Sequence, residues 1–208
     1  MNRTARETIL SEGDVTCFVM RGVFAREAFE AWHAHIPWQQ NAITVYGKEH
    51  LEPRLTAWMG PAYAYSSIRW PERPITPPVL GLRDEVQGFC DSAPIFNACL
   101  FNLYRNGVDS MGWHRDNEPE IDPTCIASVS FGATRDFAIR HRQTKEKWMV
   151  SLGHGDLLVM ENMQRDFDHA LPKRLKVHEP RINLTFRALR GKCIQLNWIP
   201  LVCGICKT

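Results

Sequence analysis

The amino-acid sequence predicts an α+β chain in which two helices precede a β-sandwich or barrel. Two observations predict this fold class. Apolar residues recur at helical spacing in two stretches before residue 90. From Asn97 onward the pattern changes to short β segments separated by turn residues. Helices followed by a run of short strands are typical of a mixed fold built on a sandwich or barrel.

The two helices are placed by their apolar stripes. These are Phe24, Ala28, Trp32 and Ile36 in the first helix, and Leu82, Val86 and Phe89 in the second. Pro37 ends the first helix, and Pro78 suits the first turn of the second because an N–H has no helical partner there. Between the helices, residues 43–75 are rich in aromatic residues, Pro and Gly and predict short strands joined by loops.

Short strands are predicted in the second half of the chain. The predicted segments are 97–104, 124–131, 136–141, 147–152, 155–160 and 181–188. The polar stretch from His141 to Lys147 lies between two of these segments and predicts a hairpin loop.

Composition and charge set bounds on the class of protein. The 208 residues are 44% hydrophobic and 23% charged, which is ordinary for one globular domain. The formal net charge of +2 gives little indication of a polyanionic partner. Basic residues concentrate in Arg135–Lys147 and Arg165–Lys192, but such runs are more often solvated loops and strand edges.

The sequence shows no secretory signal or membrane segment. Met1–Leu10 lacks an apolar core, and no apolar run approaches the roughly 20 residues that a membrane span needs. The seven cysteines are odd in number and mostly scattered. We therefore expect free thiols in a reducing compartment, a cytoplasmic location (nuclear in a eukaryote), no membrane contact and a monomer.

The segment His114-Arg115-Asp116 is a candidate metal site when combined with the distant His169. In extended backbone, residues i and i+2 point the same way, so His114 and Asp116 can bind one ion together. Two His and one carboxylate with open positions are typical of non-haem Fe(II) oxygenases. A lone H-x-D is common by chance, so its weight depends on the other segments.

The segment from Arg181 to Arg187 predicts a strand with one apolar and one polar face. Arg181, Asn183, Thr185 and Arg187 share the polar face. Two guanidiniums on a core strand are unfavourable unless an anion is present, and a dicarboxylate would suit them. A solvent-exposed polar face is the alternative. Asn102 and Tyr104 likewise share a face of their strand, where they could bind the same acid or simply pack.

Taken in order, these residues resemble the AlkB family of 2-oxoglutarate dioxygenases. The resemblance runs from about Val45 to Leu189 and is most specific in four segments: Gly112–Asp116, Ile126–Ala133, Arg135–Phe137 and Asn183–Arg187. These segments are similar to the branch of the family that prefers double-stranded DNA.

The resemblance implies a double-stranded β-helix, or jelly-roll, with N-terminal helices and a nucleotide-recognition lid. It implies that residues 1–95 form the N-terminal extension and lid, 96–190 the catalytic core and 191–208 a C-terminal tail, within one structural domain. The tail contains Cys203 and Cys206, but a zinc site needs four ligands, so we expect an inert tail.

The resemblance also implies a reaction and its residues. His114, Asp116 and His169 match the iron ligands, and Arg181 matches the residue that holds the distal carboxylate of 2-oxoglutarate. The other matches to cofactor contacts are Asn102, Tyr104, Asn183 and Arg187. With Fe(II), 2-oxoglutarate and O2, the implied activity is oxidative removal of N-alkyl groups from DNA. The lesions would be 1-methyladenine, 3-methylcytosine or etheno adducts, and the products formaldehyde, succinate and carbon dioxide.

Several positions match the family's contacts to alkylated DNA. Glu118 matches the acidic residue that reads the exocyclic amine of the target base. Tyr65 would stack on the flipped base against His114, with Tyr63 beside it, although core aromatics of a hairpin are the alternative for both tyrosines.

Two further segments match family contacts to the duplex. Val45-Tyr46-Gly47 resembles the finger that fills the gap left by a flipped base, and a strand followed by a turn explains it equally well. Arg174 and Lys176 lie in a segment that resembles a basic loop on the opposite strand, where Leu175 replaces the middle basic residue.

Other functions stay open on the sequence alone. The same chemistry could act on RNA or protein, or the fold could be a non-catalytic reader of modified nucleic acid. A complete ligand set favours an enzyme, because a reader would not need both His and Asp.

Overall fold

The computed structural model describes residues 5–45, 47–65, 68–90 and 93–190, and almost all of the regular structure is β. The helices are α1 (Phe29–His35) and α2 (Pro77–Gln87), with a 3-10 turn at Met163–Arg165. The strands are β1 (Glu7–Glu12), β2 (Val15–Met20), β3 (Ala42–Val45), β4 (Lys48–Leu51), β5 (Leu55–Met59), β6 (Tyr63–Tyr65), β7 (Ile68–Trp70), β8 (Ala98–Tyr104), β9 (Met111–His114), β10 (Cys125–Gly132), β11 (Arg135–His141), β12 (Lys147–Leu152), β13 (Leu157–Glu161), β14 (Phe167–Leu171) and β15 (Arg181–Arg187).

Two antiparallel sheets form the core. The larger has seven strands in the order β1-β2-β13-β10-β15-β8-β5, and the smaller has four in the order β12-β11-β14-β9. Two hairpins, β3–β4 and β6–β7, stand apart from both sheets. Two packed antiparallel sheets fit the sandwich that the sequence pattern predicted and the jelly-roll that the family resemblance implied.

Each face of the seven-stranded sheet contributes to a different hydrophobic cluster. One face packs under the helices, with Trp32 of α1 stacked on Phe131 at 5.7 Å between ring centroids and Leu82 of α2 in the same cluster. The other face packs against the smaller sheet through side chains such as Leu100 and Ile139. The polar side chains of β8 and β15 share this second face, so the site lies between the two sheets.

The predicted helices exist, with different ends. α1 begins at Phe29 rather than Phe24, because residues 21–26 form turns and the Phe24 amide donates to the carbonyl of Gly155. α2 begins at Pro77, and Phe89 lies beyond its last residue. Each helix buries part of the expected stripe, since Trp32 of α1 and Leu82 and Val86 of α2 are core residues. Ala28 precedes α1 and is exposed.

The strands in the second half of the chain are close to the predicted segments, and the loop between β11 and β12 is the predicted hairpin. β9 and β14 lie outside the predicted segments. β1 and β2 were missed as well, although they extend the larger sheet beyond β13. β1 is an edge strand with only Leu10 buried, and such a strand shows little apolar alternation.

The described cysteines, Cys17, Cys90, Cys99 and Cys125, are buried free thiols, as expected. Within the described ranges, no helix combines the length and apolar character that crossing a bilayer requires. The tail from residue 191 to 208 lies outside the described residues.

Candidate active site

His114, Asp116 and His169 converge at one end of the smaller sheet. Antiparallel pairing of β14 with β9 sets His169 opposite His114, and their ring centroids are 4.3 Å apart. Asp116 follows the end of β9 rather than lying within it. One potential ligand atom from each of the three side chains lies within 4.8 Å of the others. The three residues meet as the sequence predicted: strand pairing brings the two histidines together, and Asp116 joins them from just beyond β9.

Both imidazoles are held in a form that can bind a cation. Burial lowers the pKa of His169 to about 3, with His114 contributing, and burial also lowers the pKa of His114. The Nδ1 of His114 lies 2.9 Å from the carbonyl oxygen of Gly112. Because a carbonyl only accepts, Nδ1 carries the proton and Nε2 keeps its lone pair for an ion.

Asp116 is a buried carboxylate oriented by two neighbours. Arg187 donates from Nη2 to Asp116 Oδ2 at 2.7 Å, and Gln164 accepts the Asp116 backbone N–H at 3.0 Å. Burial alone would raise the pKa of Asp116, but Arg187 and the two histidines outweigh it and lower that pKa. The carboxylate is therefore ionised, and Oδ1 is not used by Arg187.

Arg181 is a buried guanidinium without an acidic partner among the described residues. It is 2% exposed, and its one side-chain hydrogen bond is from Nη2 to Ser130 Oγ at 2.8 Å. Its Nε has no acceptor in the described part of the chain. Burial, with a smaller effect of Arg135, lowers the pKa of Arg181 to about 10. A buried cation is unfavourable without an anion, and the described residues supply none to Arg181.

A row of polar side chains connects Arg181 with the metal-binding residues across the larger sheet. Asn102 on β8 is opposite Asn183 on β15, and Tyr104 is opposite Arg181. The Tyr104 ring centroid lies 5.6 Å from the guanidinium carbon of Arg181. Asn183 donates to Ser128 Oγ at 2.6 Å and accepts from Thr185 at 2.9 Å. The polar face predicted for β15 is therefore buried, and the solvent-exposed alternative is excluded.

A cavity of about 120 Å³ opens beside the three metal-binding candidates. Its lining includes Asn102, Tyr104, Asn183 and Arg187, all predicted as cofactor contacts. Arg181 is not among the lining residues, although its guanidinium lies over the ring of Tyr104, which is. Tyr63 and Glu118, predicted as base contacts, line it as well.

Comparison with known proteins identifies the family. The model of the 2OG-Fe(II) oxygenase superfamily matches residues 5–187. The chain belongs to this superfamily. The chain is also 39% identical over 178 residues to alkB homolog 3 of Bos taurus, an alpha-ketoglutarate-dependent dioxygenase, covering 79% of this chain and 62% of the relative. It is 40% identical over 160 residues to the human DNA oxidative demethylase ALKBH2, covering 71% and 60%.

A plant relative and a solved structure agree with this placement. The Arabidopsis thaliana DNA oxidative demethylase ALKBH2 is 32% identical over 224 residues, covering 89% of this chain and 70% of the relative, which places the chain in the AlkB family. The structure of OsALKBH1 superposes with a TM-score of 0.58 at 14% identity, covering 87% of this chain and 99% of that one, so the fold is shared. The chain spans about three fifths of the length of the first curated relatives it matches.

A 2OG-Fe(II) oxygenase uses Fe(II), 2-oxoglutarate and O2, and the site fits these groups. Two neutral imidazoles and one ionised carboxylate form the facial ligand set of this class. The orphaned Nε of Arg181 and its missing counter-ion suit a carboxylate, which guanidinium binds bidentately.

The structure describes only some of the other residues that were predicted to contact DNA. Tyr46 lies outside the described residues, as do the side chains of Val45 and Tyr65. Gly47 has a φ of +76°, a turn conformation natural for glycine, after β3. Arg174 pairs with Asp136 at 2.6 Å on the loop between β14 and β15, and Lys176 on that loop is exposed.

Sequence reasoning missed four residues that hold the site together. They are Arg54, Ser128, Ser130 and Gln164. The two serines carried a usable signal, because they alternate within the apolar strand β10 and so share one face. Arg54 and Gln164 gave none, because their partners, Asn102 and Asp116, are distant in sequence.

Proposed function

We propose that this AlkB-family enzyme removes N-alkyl lesions such as 1-methyladenine, 3-methylcytosine or etheno adducts from DNA. The observation that carries the proposal is the cavity that joins the metal-binding candidates to Glu118 and Tyr63. The relatives named DNA oxidative demethylase support DNA as the substrate.

The chain's own residues divide the work of binding. His114, Asp116 and His169 would hold Fe(II), and Arg181 would hold the distal carboxylate of 2-oxoglutarate. Asn102, Tyr104, Asn183 and Arg187 would complete the cofactor site. When bound, Fe(II), 2-oxoglutarate and O2 would supply hydroxylation of a substrate C–H bond, coupled to decarboxylation of 2-oxoglutarate to succinate and carbon dioxide. An N-methyl group oxidised in this way leaves as formaldehyde.

Glu118 is suited to recognise the exocyclic amine of the base. Its Oε2 is buried and has no hydrogen-bond partner among the described residues. Tyr63 hydrogen-bonds to Glu118 and stacks on Trp58 at 4.7 Å, which fixes the carboxyl group from one side. A buried acceptor left open at a cavity wall favours a ligand that donates, as an exocyclic amine does. Tyr65 would stack on the base, by the resemblance.

The β3–β4 and β6–β7 hairpins would form the nucleotide-recognition lid. Both stand outside the two core sheets, and Tyr63 on β6 lines the cavity. Val45, Tyr46 and Gly47 would act as the finger, and Arg174 and Lys176 would contact phosphates. The exposed side chain of Lys176 supports that contact, whereas Arg174 would have to share its charge with Asp136.

Product analysis tests the proposed reaction. Purified protein with Fe(II) and 2-oxoglutarate should release succinate and formaldehyde in equal amounts with a DNA oligonucleotide containing 1-methyladenine or 3-methylcytosine. An unmethylated oligonucleotide and a methylated RNA of the same sequence are the controls. Binding of methylated DNA without succinate release would indicate a reader instead, and faster release with RNA would move the substrate assignment to RNA.

Tyr46→Ala should slow repair of a methylated base in duplex DNA by roughly tenfold or more, and much less in single-stranded DNA. Extruding a base from a duplex costs a few kcal/mol and far less from a single strand, so a wedge assists only the first. The measurement is the initial rate of formaldehyde release on both substrate forms. Tyr46→Phe, which keeps the ring, should retain the rate. Equal losses on both forms would show that residues 45–47 are an ordinary strand and turn.

A further inference from the structure

A buried charged pair adjoins the cavity outside the proposed metal and cofactor contacts. Glu52 and Arg54 are 2% and 3% exposed, and Arg54 Nη2 donates to Glu52 Oε1 at 2.7 Å. The pair flanks Pro53 just before β5, and Arg54 lines the cavity. Replacing a buried ion pair by apolar residues is often neutral or stabilising. Fold stability alone therefore does not explain why charges occupy these positions.

The pair fixes the orientation of the Asn102 amide. Arg54 Nε lies 2.7 Å from Asn102 Oδ1. Because Nε–H can only donate, the carboxamide must present its oxygen to Arg54 and direct its NH2 group elsewhere. Asn102 is 6% exposed and lines the cavity, and the bond from Arg54 is the one side-chain hydrogen bond that it makes with the described residues. The amide is thus held as an open hydrogen-bond donor.

Asn102 differs in this respect from Asn183, its neighbour across the sheet. The Nδ2 of Asn183 already donates to Ser128 Oγ and to the Val129 carbonyl, and its Oδ1 accepts from Thr185. Among the described residues, the amide of Asn183 is satisfied by the chain, whereas the NH2 group of Asn102 is left open to a ligand oxygen.

We propose that Glu52 and Arg54 position Asn102 for 2-oxoglutarate, with Arg54 setting the amide orientation and Glu52 holding Arg54. The inference deepens the proposed function and rests on Asn102 as a cofactor contact. Arg54 is a positioning residue, since its effect on the cofactor passes through the Asn102 side chain. Without it the amide can rotate and present its oxygen to a carboxylate, which repels it.

Glu52 also fastens the β3–β4 hairpin, so a structural role must be separated from a positioning one. Its Oε2 accepts from Thr56 Oγ1 at 3.2 Å and from Asn41 Nδ2 at 3.5 Å, and its backbone N–H donates to the Asn41 carbonyl at 2.8 Å. Asn41 precedes β3, and Glu52 follows β4. A purely structural pair would affect the hairpin and nucleic-acid binding, and would leave the cofactor affinity of free enzyme unchanged.

A double-mutant cycle on cofactor binding tests the proposal. The Kd of 2-oxoglutarate is measured by calorimetry on full-length protein loaded with Mn(II) in place of Fe(II), without nucleic acid. Asn102→Ala and Arg54→Gln should each weaken binding by about tenfold or more, the effect of losing one hydrogen bond to a charged group. The double variant should be no weaker than Asn102→Ala, because Arg54 then has no amide to orient.

Two further variants serve as a control and as a substitute for Arg54→Gln. Arg26→Gln removes the Arg of an exposed ion pair with Glu85 and should leave the Kd unchanged. If Arg54→Gln does not fold, Glu52→Gln replaces it; this variant keeps the side-chain size but loosens Arg54. It should weaken binding a few-fold, and only while Asn102 is present.

The outcomes separate the proposal from its premise. A parental Kd for Asn102→Ala would overturn the cofactor assignment of Asn102, and the positioning proposal with it. A weakened Asn102→Ala beside a parental Arg54→Gln would overturn the positioning proposal alone. So would an Arg54→Gln effect of the same size in the Asn102→Ala background, since Arg54 would then act independently.

Discussion

Asp116→Ala should lose iron and turnover together. The carboxylate is one of three ligand groups gathered within 4.8 Å, and it is the only one with negative charge. Loss of an outer partner of a metal ligand already costs about 10–100-fold in affinity or activity, so loss of the ligand itself should exceed 100-fold. The measurement is Fe(II) retained per chain after anaerobic dialysis, together with succinate release.

The same substitution leaves Arg187 buried beside His114 and His169 without its carboxylate. Removing one partner of a buried pair typically costs about 3–5 kcal/mol, so thermal unfolding must be measured alongside. Asp116→Asn keeps the side-chain size and should also lose iron, because a neutral amide is a poor ligand for the cation. Asp14→Ala removes an exposed carboxylate and should behave as parent. Parental iron content in Asp116→Ala would refute the ligand assignment.

Local periodicity was enough to predict most of the catalytic core. A strand alternates its side chains, so the sequence of β15 alone placed Arg181, Asn183, Thr185 and Arg187 on one face. The same rule placed Asn102 with Tyr104. Local periodicity does not show which strands pair and so bring these faces together. For that step the prediction relied on the order of the segments, which resembles that of the family.

Features that depend on distant partners were not predictable. The Asp116 backbone is held by Gln164, and the Asn102 amide by Arg54, through hydrogen bonds between residues about fifty positions apart. Asp116 itself lies past the end of β9, so its approach to His169 depends on this support rather than on strand geometry. β1 was missed because an edge strand with one buried residue lacks an alternating pattern, whereas β2 is an inner strand that is buried along most of its length and was missed as well.

The two guanidiniums of β15 look equivalent in sequence but differ in the structure. Arg187 has an acidic partner within the chain, since it donates to Asp116 at 2.7 Å. Among the described residues, the Arg181 side chain hydrogen-bonds only to the hydroxyl of Ser130. The charge of Arg187 is therefore compensated by Asp116 before any ligand binds. The charge of Arg181 is compensated only when an anion binds. This difference supports the proposal that Arg181 anchors a dicarboxylate and that Arg187 orients the proposed metal-binding carboxylate.

Arg181→Ala should weaken 2-oxoglutarate binding by about 2–5 kcal/mol, which is roughly 30-fold to several thousand-fold in Kd.

Arg181→Met fills more of the vacated space and adds a second test, in which the stability of the protein is measured without cofactor. Without cofactor, this variant should be as stable as the parent or more so, because it removes a buried charge that has no acidic partner among the described residues. Added 2-oxoglutarate should raise the Tm of the metal-loaded parent and not that of the variant. Arg190→Ala, at an exposed arginine on the same segment, is the matched control. Parental affinity in Arg181→Ala, or a parental rise of Tm with 2-oxoglutarate in Arg181→Met, would show that the distal carboxylate is held elsewhere.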